Sequence, residues 1–368
     1  MKYFIIAGER SGDLHAANLL KEIRRNDPAA VARGIGGRFL EEAGMKVLLD
    51  YKDLAFMGFT EVLEKLGQIR QARKLVKTEL QENRPDCLIL IDYGGFNLGI
   101  ARFAKTLGIK VFYYIPPKVW AWNTSRIEKL RQFTDRIFVI LPFEKDFYAS
   151  HGMEVDYVGN PVLDAISDFH PSSDFRQRNK LDDKPIIAVL PGSRKSEIEK
   201  SLYRILSVLP AYPDHHFVIA GVDNLPQSYY NNFRRNGRVD VVYEQTYDLL
   251  AHAEMAVVTS GTATLETALF KVPQVVVFAT NSISYLIARW LIKVKFISLV
   301  NLIAGKKVVA ELIQGNFSAQ DLRVEMTLIN SGSSGREVVL KGYDEVISRL
   351  GESGASKRCA GLIHKYLC

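Results

Sequence analysis

Short apolar runs alternate with amphipathic helical patterns along the first half of the chain. The run Tyr3–Ala7 predicts a buried strand, and the periodicity of Ser11–Arg25 predicts a helix that ends at Asp27 and Pro28. Such alternation is typical of a parallel sheet covered by helices on both faces. The other elements predicted here are the strands Asp86–Ile91, Lys110–Ile115 and Arg136–Ile140 and the helix Asn97–Leu107.

The same alternation restarts after a short polar stretch. Residues 169–185 carry Pro171, Ser172 and Ser173 among charged residues, and this composition predicts an interdomain linker. The sequence after Gly332 has a helical pattern. Between these points the pattern predicts the strands Pro185–Leu190, His216–Ala220, Val239–Tyr243, Met255–Thr259 and Gln274–Phe278 and the helices Lys195–Leu209 and Thr262–Phe270.

The fold class that follows is α/β, with two Rossmann-like parallel-sheet domains. A chain of 368 residues suits two domains of ordinary size. We expect the domains to face each other across a cleft, with ligands bound beyond the carboxyl ends of the strands. The predicted segments are an N-terminal domain (1–168), a linker (169–185), a C-terminal domain (186–335) and a helical C-terminal segment (336–368).

Composition and charge narrow the classes of partner. Apolar residues make up 47% and charged residues 24% of the chain, which is typical of a folded protein. The net charge of +7 favours anionic partners, but without a zinc-finger spacing or an aromatic RNA-binding signature we do not expect nucleic acid. The three cysteines form no Cys-x-x-Cys pair, which favours a reducing compartment. No apolar run is long enough to span a membrane, so we expect any membrane contact to be peripheral.

Two loops of the first half follow predicted strands directly. Residues 8–13 read Gly-Glu-Arg-Ser-Gly-Asp, which either form a ligand loop with Glu9 towards the cleft or an ordinary turn capped by Ser11 or Asp13. Asp92 stands at the end of an apolar strand before a glycine turn. A carboxylate there can act as a general base on a hydroxyl, and the alternative is that it caps the turn.

Two loops of the second half have the features of anion sites. Gly192 and Ser193 lie between a predicted strand and a helix start, and Arg194 adds a cation suited to phosphate. Residues 260–262 (Ser-Gly-Thr) open another helix, and Glu266 lies one turn further. This pair favours a nucleotide, with a pyrophosphate at the helix start and a ribose at the glutamate. The alternative is a pair of capped turns with charged surface residues.

Other candidate features are less specific. Trp120 and Trp122 either line a sugar or lipid pocket or anchor the core. The basic amphipathic segments Glu61–Leu80 and Tyr285–Phe296 either lie on an anionic membrane or are core-facing helices and subunit contacts. The seven histidines show no metal-ligand spacing, and neither a Gly-x-Ser-x-Gly elbow nor a Walker A loop is present.

Taken together, the motifs resemble those of the lipid-A-disaccharide synthase family, inverting glycosyltransferases of GT-B architecture. The resemblance extends from about residue 3 to about residue 315 and includes motifs on both predicted domains. The motifs are Ala7-Gly8-Glu9-x-Ser11-Gly12-Asp13, Met57-Gly58-x-x-Glu61-Val62, Ile91-Asp92 with Phe96-Asn97, Val119-Trp120-Ala121-Trp122, Leu141-Pro142-Phe143-Glu144, Leu190-Pro191-Gly192-Ser193-Arg194, Ser260-Gly261-Thr262-Ala263 with Glu266, Ser298-Leu299, Asn301-Leu302 and Ala304-Gly305.

The resemblance implies a specific reaction in lipid A biosynthesis. UDP-2,3-diacylglucosamine would donate its sugar to the 6-hydroxyl of 2,3-diacylglucosamine 1-phosphate, giving the β-1,6-linked disaccharide 1-phosphate and UDP. It implies neither a metal nor an organic cofactor. It places the acceptor on the N-terminal domain and the UDP-sugar on the C-terminal one. It also implies a homodimer with exchanged C-terminal segments, in the cytoplasm at the inner face of the inner membrane of a Gram-negative cell.

The resemblance also implies roles for the site residues. Asp92 would be the base, Glu9 would help to hold the acceptor or the base, and Arg194 would stabilise the leaving diphosphate. Met57, Trp120 and Trp122 would line an acceptor or lipid pocket. The residues expected to bind UDP or substrate are Ser11, Gly12, Gly192, Ser193, Ser260, Gly261, Thr262, Glu266, Asn301, Glu311 and Gln314.

The chain departs from the family pattern at three places. Gly94 stands where the family usually has proline, which we expect to loosen the turn that aims Asp92. Val300 replaces another proline, and Pro116 and Lys118 replace expected serines. We expect these changes to affect acceptor or acyl-chain preference more than the class of reaction.

Two alternative functions stay open from sequence alone. Another GT-B enzyme, such as a UDP-N-acetylglucosamine transferase or epimerase, would share the nucleotide-binding second domain but not the Trp-Ala-Trp segment. A non-catalytic nucleotide or phospholipid binder would keep Arg194 and Glu266 without needing Asp92.

Overall fold

The structure is a computed structural model in which the chain forms two compact units. It describes residues 1–53, 66–122, 124–193, 195–222, 225–235, 237–280 and 294–368. The N-terminal unit comprises residues 1–164 and 352–368, and the C-terminal unit comprises residues 165–351. The predicted segment 336–368 is therefore divided between the two units, and residues 169–185 belong to the C-terminal unit.

Within the described residues, the N-terminal unit contains a seven-stranded parallel sheet. The strand order is β3-β2-β1-β4-β5-β6-β7, and every pairing is parallel. The strands are β1 (Lys2–Ala7), β2 (Val31–Gly36), β3 (Lys46–Asp50), β4 (Cys87–Ile91), β5 (Lys110–Tyr114), β6 (Arg136–Val139) and β7 (Asp156–Tyr157). The helices are α1 (Arg10–Asn26), α2 (Arg38–Glu42), α3 (Leu66–Asn83), α4 (Gly94–Thr106), α5 (Val119–Trp122), α6 (Arg126–Phe133) and α7 (Pro142–Ser150), with a 3₁₀ turn at Tyr51–Asp53. Helix α8 (Pro161–Ser167) begins in this unit and ends in the C-terminal unit.

The sheet is covered on both faces because its strands are apolar at successive positions. In β1, Phe4 and Ile6 enter one core, while Tyr3, Ile5 and Ala7 enter the other. All five residues of β4 are buried. Neighbouring side chains of a strand point to opposite faces, so continuous apolar runs require cover on both sides.

The C-terminal helix α17 (Ala355–Leu367) returns to the N-terminal unit. It packs against α1, and its buried Cys359, Ala360 and Ile363 join the same core as Ile5. Asp164 accepts hydrogen bonds from the amides of residues 354, 355 and 356 at 2.6, 3.0 and 2.9 Å. This carboxylate satisfies the open donors at the helix start and fixes the place where α17 begins.

The C-terminal unit contains a second parallel sheet with the order β10-β9-β8-β11-β12-β13 among its described residues. The strands are β8 (Ile186–Leu190), β9 (His216–Gly221), β10 (Val239–Tyr243), β11 (Ala253–Thr259), β12 (Gln274–Phe278) and β13 (Ala310–Ile313). The helices are α9 (Phe175–Arg178), α10 (Lys195–Leu206), α11 (Gln227–Tyr230), α12 (Thr246–Ala251), α13 (Ala263–Leu269), α14 (Leu299–Ala304), α15 (Ala319–Leu328) and α16 (Ser334–Leu350), with 3₁₀ turns at Leu209–Ala211, Asn231–Phe233 and Gln314–Asn316.

The predicted α/β class is confirmed, as are all the strands that the sequence predicts. Helix α4 begins at Gly94, three residues before the predicted start at Asn97, because the amides of Phe96 and Asn97 already bond to the carbonyl of Tyr93. Strands β2, β3, β7 and β13 were not predicted. Their short or glycine-containing and charged sequences lack a continuous apolar run, and pairing with neighbouring strands forms them instead.

Candidate active site

Glu9 and Asp92 lie at the same edge of the N-terminal sheet. Ala7 of β1 pairs with Ile91 of β4, so both acidic residues follow adjacent strands whose separation is about 4.8 Å. The contact is close, because a Cβ added at Gly8 would lie 2.5 Å from Cγ of Tyr93. The register therefore places the two acidic residues that the sequence singled out directly after adjacent strand ends.

The main chain fixes the turn that carries Asp92. Asp92 and Tyr93 have φ angles of 44° and 46°, the left-handed region that few residues other than glycine adopt. The Asp92 amide donates to Ile115 O at 3.0 Å. The Asp92 carbonyl accepts from the Tyr113 hydroxyl at 2.5 Å and from Asn97 Nδ2 at 2.8 Å. These contacts compensate for the strained conformation and leave the Asp92 carboxylate half-buried at the sheet edge.

Gly94 is closely packed at this turn. A Cβ at Gly94 would lie 2.5 Å from Cγ of Pro117, so an ordinary side chain does not fit. Helix α4 starts at this glycine, directly after the two left-handed residues. The glycine lets Pro117 pack against the backbone, and the looser turn expected of glycine in place of proline stays a prediction.

The neighbouring loop after β1 is built around Asp13. The predicted capping of α1 by Ser11 or Asp13 is wrong, since no side chain caps that helix. Asp13 is 1% exposed and accepts from the amides of Gly37, Phe39 and Leu40 at 2.7, 3.0 and 3.3 Å, so it caps α2 instead. Burial raises its pKa, and these hydrogen bonds oppose that rise. Ser11 is exposed and Gly12 is buried in the first turn of α1.

Trp120 belongs to the core of the N-terminal unit. Its indole Nε1 donates to Glu144 Oε1 at 3.0 Å, and its ring meets Phe143 edge-on at 5.0 Å. Glu144 is 2% exposed and also accepts from the amides of Ile140 and Leu141. Burial raises the pKa of Glu144, which the three hydrogen bonds oppose. Trp120 is therefore a core anchor that positions α7.

Three residues of the predicted site lie wholly or partly outside the described residues. Met57 and Arg194 lie outside the described residues, and only the backbone of Trp122 is described. The first part of Glu61–Leu80 and most of Tyr285–Phe296 also lie outside them. In the described part of the first segment, Val76 and Leu80 are buried in the core, while Arg70 and Lys74 are exposed. The described part of this apolar face is therefore covered by protein.

In the C-terminal unit the strand register brings two predicted loops to one edge. Leu190 of β8 pairs with Val258 of β11, so Gly192 and Ser193 on one side and Ser260 on the other follow adjacent strands at the same edge. Gly192 has a φ of 95°, which explains glycine at this point of the turn. Ser193 is exposed, whereas Ser260 is half-buried and donates to Ile297 O at 2.8 Å.

Glu266 has a positioning partner that the sequence did not reveal. The Tyr247 hydroxyl donates to Glu266 Oε1 at 2.9 Å. The Tyr247 ring packs against Phe169 and Phe270, with centroids 5.4 and 5.2 Å away. Gly261 and Thr262, directly before α13, are half-buried at the same helix start.

Asn301, Glu311 and Gln314 hold the loops of this edge together. Asn301 is 0% exposed, donates to Val309 O and to Glu311 Oε1, and accepts from the amides of residues 308 and 309. Glu311 accepts from the amides of residues 297 and 298 and from the Ser298 hydroxyl. Gln314 forms hydrogen bonds with both the amide and the carbonyl of Thr280 at 3.1 Å. Both polar atoms of the Asn301 side chain therefore form hydrogen bonds within the protein, and the role seen in the structure is to position Glu311.

Several contributing residues carried no usable sequence signal. Tyr113 reads only as part of a buried strand, and Tyr247 lies in a short helix with no motif. Asn97 belongs to the motif Ile91-Asp92 with Phe96-Asn97, but nothing in the sequence shows that its side chain donates a hydrogen bond to the Asp92 carbonyl. Among the described residues, no group of three or more histidine, cysteine or acidic side chains is arranged to bind a metal, and no helix is long and apolar enough to cross a membrane.

The same fold occurs in solved nucleotide-sugar enzymes. The structure of UDP-GlcNAc 2-epimerase from Neisseria meningitidis bound to UDP-GlcNAc aligns with a TM-score of 0.67 at 15% identity, covering 99% of this chain and 100% of that one. The glycotransferase of kitacinnamycin aligns with a TM-score of 0.67 at 14% identity, covering 100% and 98%. These likenesses establish the two-sheet α/β fold of the GT-B class.

Sequence comparison identifies the family. The model of the lipid-A-disaccharide synthetase family matches residues 3–361. The lipid-A-disaccharide synthase of Myxococcus xanthus is 36% identical over 366 residues, covering 98% of this chain and 96% of the relative. That of Syntrophus aciditrophicus is 38% identical over 364 residues, covering 97% and 95%. The chain therefore belongs to the lipid-A-disaccharide synthetase family and is a glycosyltransferase of lipid A disaccharide synthesis. This assignment does not favour the alternative functions.

Proposed function

We propose that the chain transfers 2,3-diacylglucosamine from UDP-2,3-diacylglucosamine to the 6-hydroxyl of 2,3-diacylglucosamine 1-phosphate. The products are the β-1,6-linked disaccharide 1-phosphate and UDP. The observation that carries this proposal is the fixed left-handed turn at the end of β4, which presents Asp92 next to the loop of Glu9. Such a carboxylate suits proton removal from an acceptor hydroxyl.

The proposed chemistry is a single displacement at the anomeric carbon. Asp92 takes the proton of the acceptor 6-hydroxyl while that oxygen bonds to the anomeric carbon. The bond from this carbon to the diphosphate breaks, and UDP leaves on the opposite face, which inverts the configuration. Glu9, on the adjacent strand end, helps to orient the acceptor or the base.

The C-terminal unit binds the donor nucleotide in this proposal. Ser193 and Gly192 follow β8, and residues 260–262 follow β11 at the same edge, where main-chain amides suit a diphosphate. Glu266 accepts a hydrogen bond from a ribose hydroxyl, and Tyr247 holds its other oxygen. We also propose that Arg194 stabilises the charge that develops on the diphosphate.

The test is UDP release from UDP-2,3-diacylglucosamine, with and without the acceptor, together with mass spectrometry of the lipid product. We expect release that depends on the acceptor and a product with the mass of the disaccharide 1-phosphate. Release without disaccharide would indicate hydrolysis or another acceptor. No release from folded protein in detergent or liposomes would contradict the proposed substrates.

We also propose that the protein works at an anionic membrane surface on the cytoplasmic side. The apolar face of α3 packs into the core, so this contact depends on exposed cations such as Arg70 and Lys74. Flotation with anionic liposomes should be strong at low salt and weak at high salt. Failure to float at low salt would refute the membrane contact.

Exchange of C-terminal segments in a homodimer stays a prediction, which light scattering and crosslinking of α17 would test.

A further inference from the structure

Arg73 approaches the turn of Asp92 from helix α3. Its Nη2 donates to Gly95 O at 3.2 Å, and its guanidinium carbon lies 5.7 Å from the centroid of the Phe96 ring. The same arginine lies close enough to Tyr93 to lower its pKa, while Glu9 raises it and burial raises it most. Tyr93 is therefore near a guanidinium group and a carboxylate of the candidate site.

Arg126 approaches the same turn from the start of helix α6. A Cβ added at Gly94 would lie 3.1 Å from Arg126 Nη1. Burial raises the pKa of Tyr113 most, Asp92 raises it further and Arg126 lowers it. The hydroxyl that holds the Asp92 carbonyl is thus also near Arg126. Two guanidinium groups from different helices consequently approach consecutive residues of one turn.

We propose that Arg73 and Arg126 form the subsite for the phosphate group of the acceptor. This inference rests on the proposed function, in which the acceptor is 2,3-diacylglucosamine 1-phosphate. A phosphate monoester that approaches Glu9 and Asp92 would be repelled by both carboxylates. Guanidinium groups next to the turn offset this repulsion, and their paired donors match phosphate oxygens.

The turn also leaves room for a ligand. Gly95 is exposed, and no atom lies within 4 Å of the position that a Cβ would occupy there. Arg73 is exposed and keeps its side chain at this opening. The acceptor has its 6-hydroxyl and its phosphate on different sides of the sugar ring. A phosphate held beside Gly95 is compatible with a 6-hydroxyl at Asp92, which lies three residues earlier in the same turn.

The test compares two acceptors, 2,3-diacylglucosamine with and without the 1-phosphate. Both carry short acyl chains that keep them monomeric in water, so membrane binding does not contribute. We expect Arg73→Gln and Arg126→Gln each to raise KM for the phosphorylated acceptor about tenfold, because each removes a charge-assisted contact. KM for the acceptor without phosphate and KM for the UDP-sugar should change less than twofold. Arg73→Lys should recover part of the loss, since it keeps the charge.

Arg102→Gln is the matched control, because Arg102 is exposed on α4 at a distance of two turns from Gly95. It should leave both KM values unchanged. Equal losses on both acceptors would show that the arginines only support the turn, which overturns the subsite. If Arg126→Gln does not fold, the exposed Arg73 decides the question alone. If the unmodified protein makes no disaccharide, the proposed function has failed, whereas transfer with no phosphate-dependent loss refutes the subsite only.

Discussion

Asp92 in the N-terminal unit is held by its main chain, whereas Asn301, Glu311 and Gln314 in the C-terminal unit are held by their side chains. The Asp92 amide and carbonyl make three hydrogen bonds to Ile115, Tyr113 and Asn97. By contrast, Asn301 uses both amide atoms to bind its own loop and Glu311.

In the proposed mechanism, this difference separates a residue that does chemistry from residues that build the site. A side chain on a turn fixed through its main chain can change without altering the turn. A side chain that holds several loops cannot change without a loss of stability. The two sheet edges should therefore respond differently to substitution, the first in kcat and the second in the free energy of unfolding.

The largest expected effect is that of Asp92→Asn on turnover. Asparagine tolerates a φ of 44° and keeps the shape of the side chain, but it cannot take a proton. We expect kcat to fall by about 10²–10⁴, the usual contribution of a positioned base, with an unchanged melting temperature. Steady-state UDP release and circular dichroism would measure the two quantities.

Asp86→Asn is a control at the other end of β4, where Asp86 accepts from the Lys2 amide. It should leave kcat unchanged. If folded Asp92→Asn turns over at the parental rate, Asp92 is not the base. The proposed difference in function between the two sheet edges would then have no support.

Asn301→Ala should act on stability instead. It removes four hydrogen bonds from a fully enclosed side chain, each worth about 1 kcal/mol, so we expect a loss of about 4 kcal/mol. Urea unfolding would measure the loss, and Asn316→Ala, at an exposed position of the same unit, should change little. An Asn301 variant of parental stability with weaker UDP binding would instead favour the ligand role that the sequence predicted.

A buried histidine adds a prediction about pH. In the N-terminal unit, burial lowers the pKa of His15 to about 4, although Asp164 opposes this. The folded state thus prefers neutral His15, so its contribution to stability is complete above pH 6.5 and is lost as the pH falls towards 4.

The expected loss from His15 is about 3 kcal/mol over this pH range. His15→Gln removes the titration, so urea unfolding at several pH values should show a flatter profile than that of the parent. The exposed His364→Gln should keep the parental profile. An unchanged slope in His15→Gln would assign the acid sensitivity to other groups.

Periodicity was sufficient for strands with a continuous apolar run but not for strands with charged or glycine-containing sequences. Strand Gln274–Phe278 has the predicted bounds, because a strand buried on both faces needs a continuous apolar run. Strand β2 contains Arg33 and three other residues of low strand propensity, and it forms only through pairing with β1 and β3. Such pairing depends on distant sequence, which a local pattern does not contain.

The sequence was sufficient to locate the strand ends of the candidate site. It did not reveal the side chains that form hydrogen bonds to the residues there. Asp92 and Glu266 were recognised from their positions after strands and at helix starts. Their partners Tyr113 and Tyr247 come from distant segments with no motif. The contact of Gly94 with Pro117 likewise has no sequence signal, because a local pattern says nothing about what packs against a residue.

Tyr247→Phe should give the smallest effect, and it tests whether the C-terminal edge also contains a residue that acts on a ligand. The substitution keeps the ring among Phe169 and Phe270 but removes the hydrogen bond to Glu266. A hydrogen bond to a charged group is worth about 1.5 kcal/mol, so UDP should bind about tenfold more weakly by calorimetry, with kcat unchanged at saturating donor.

With 2′,3′-dideoxy-UDP, which lacks the ribose hydroxyls, parent and variant should bind equally. Tyr243→Phe, whose hydroxyl contacts only the Gln227 carbonyl at 3.4 Å among the hydrogen bonds described, is the control. Equal weakening for both nucleotides would mean that Tyr247, like Asn301, builds the site without orienting the group that reads the ribose.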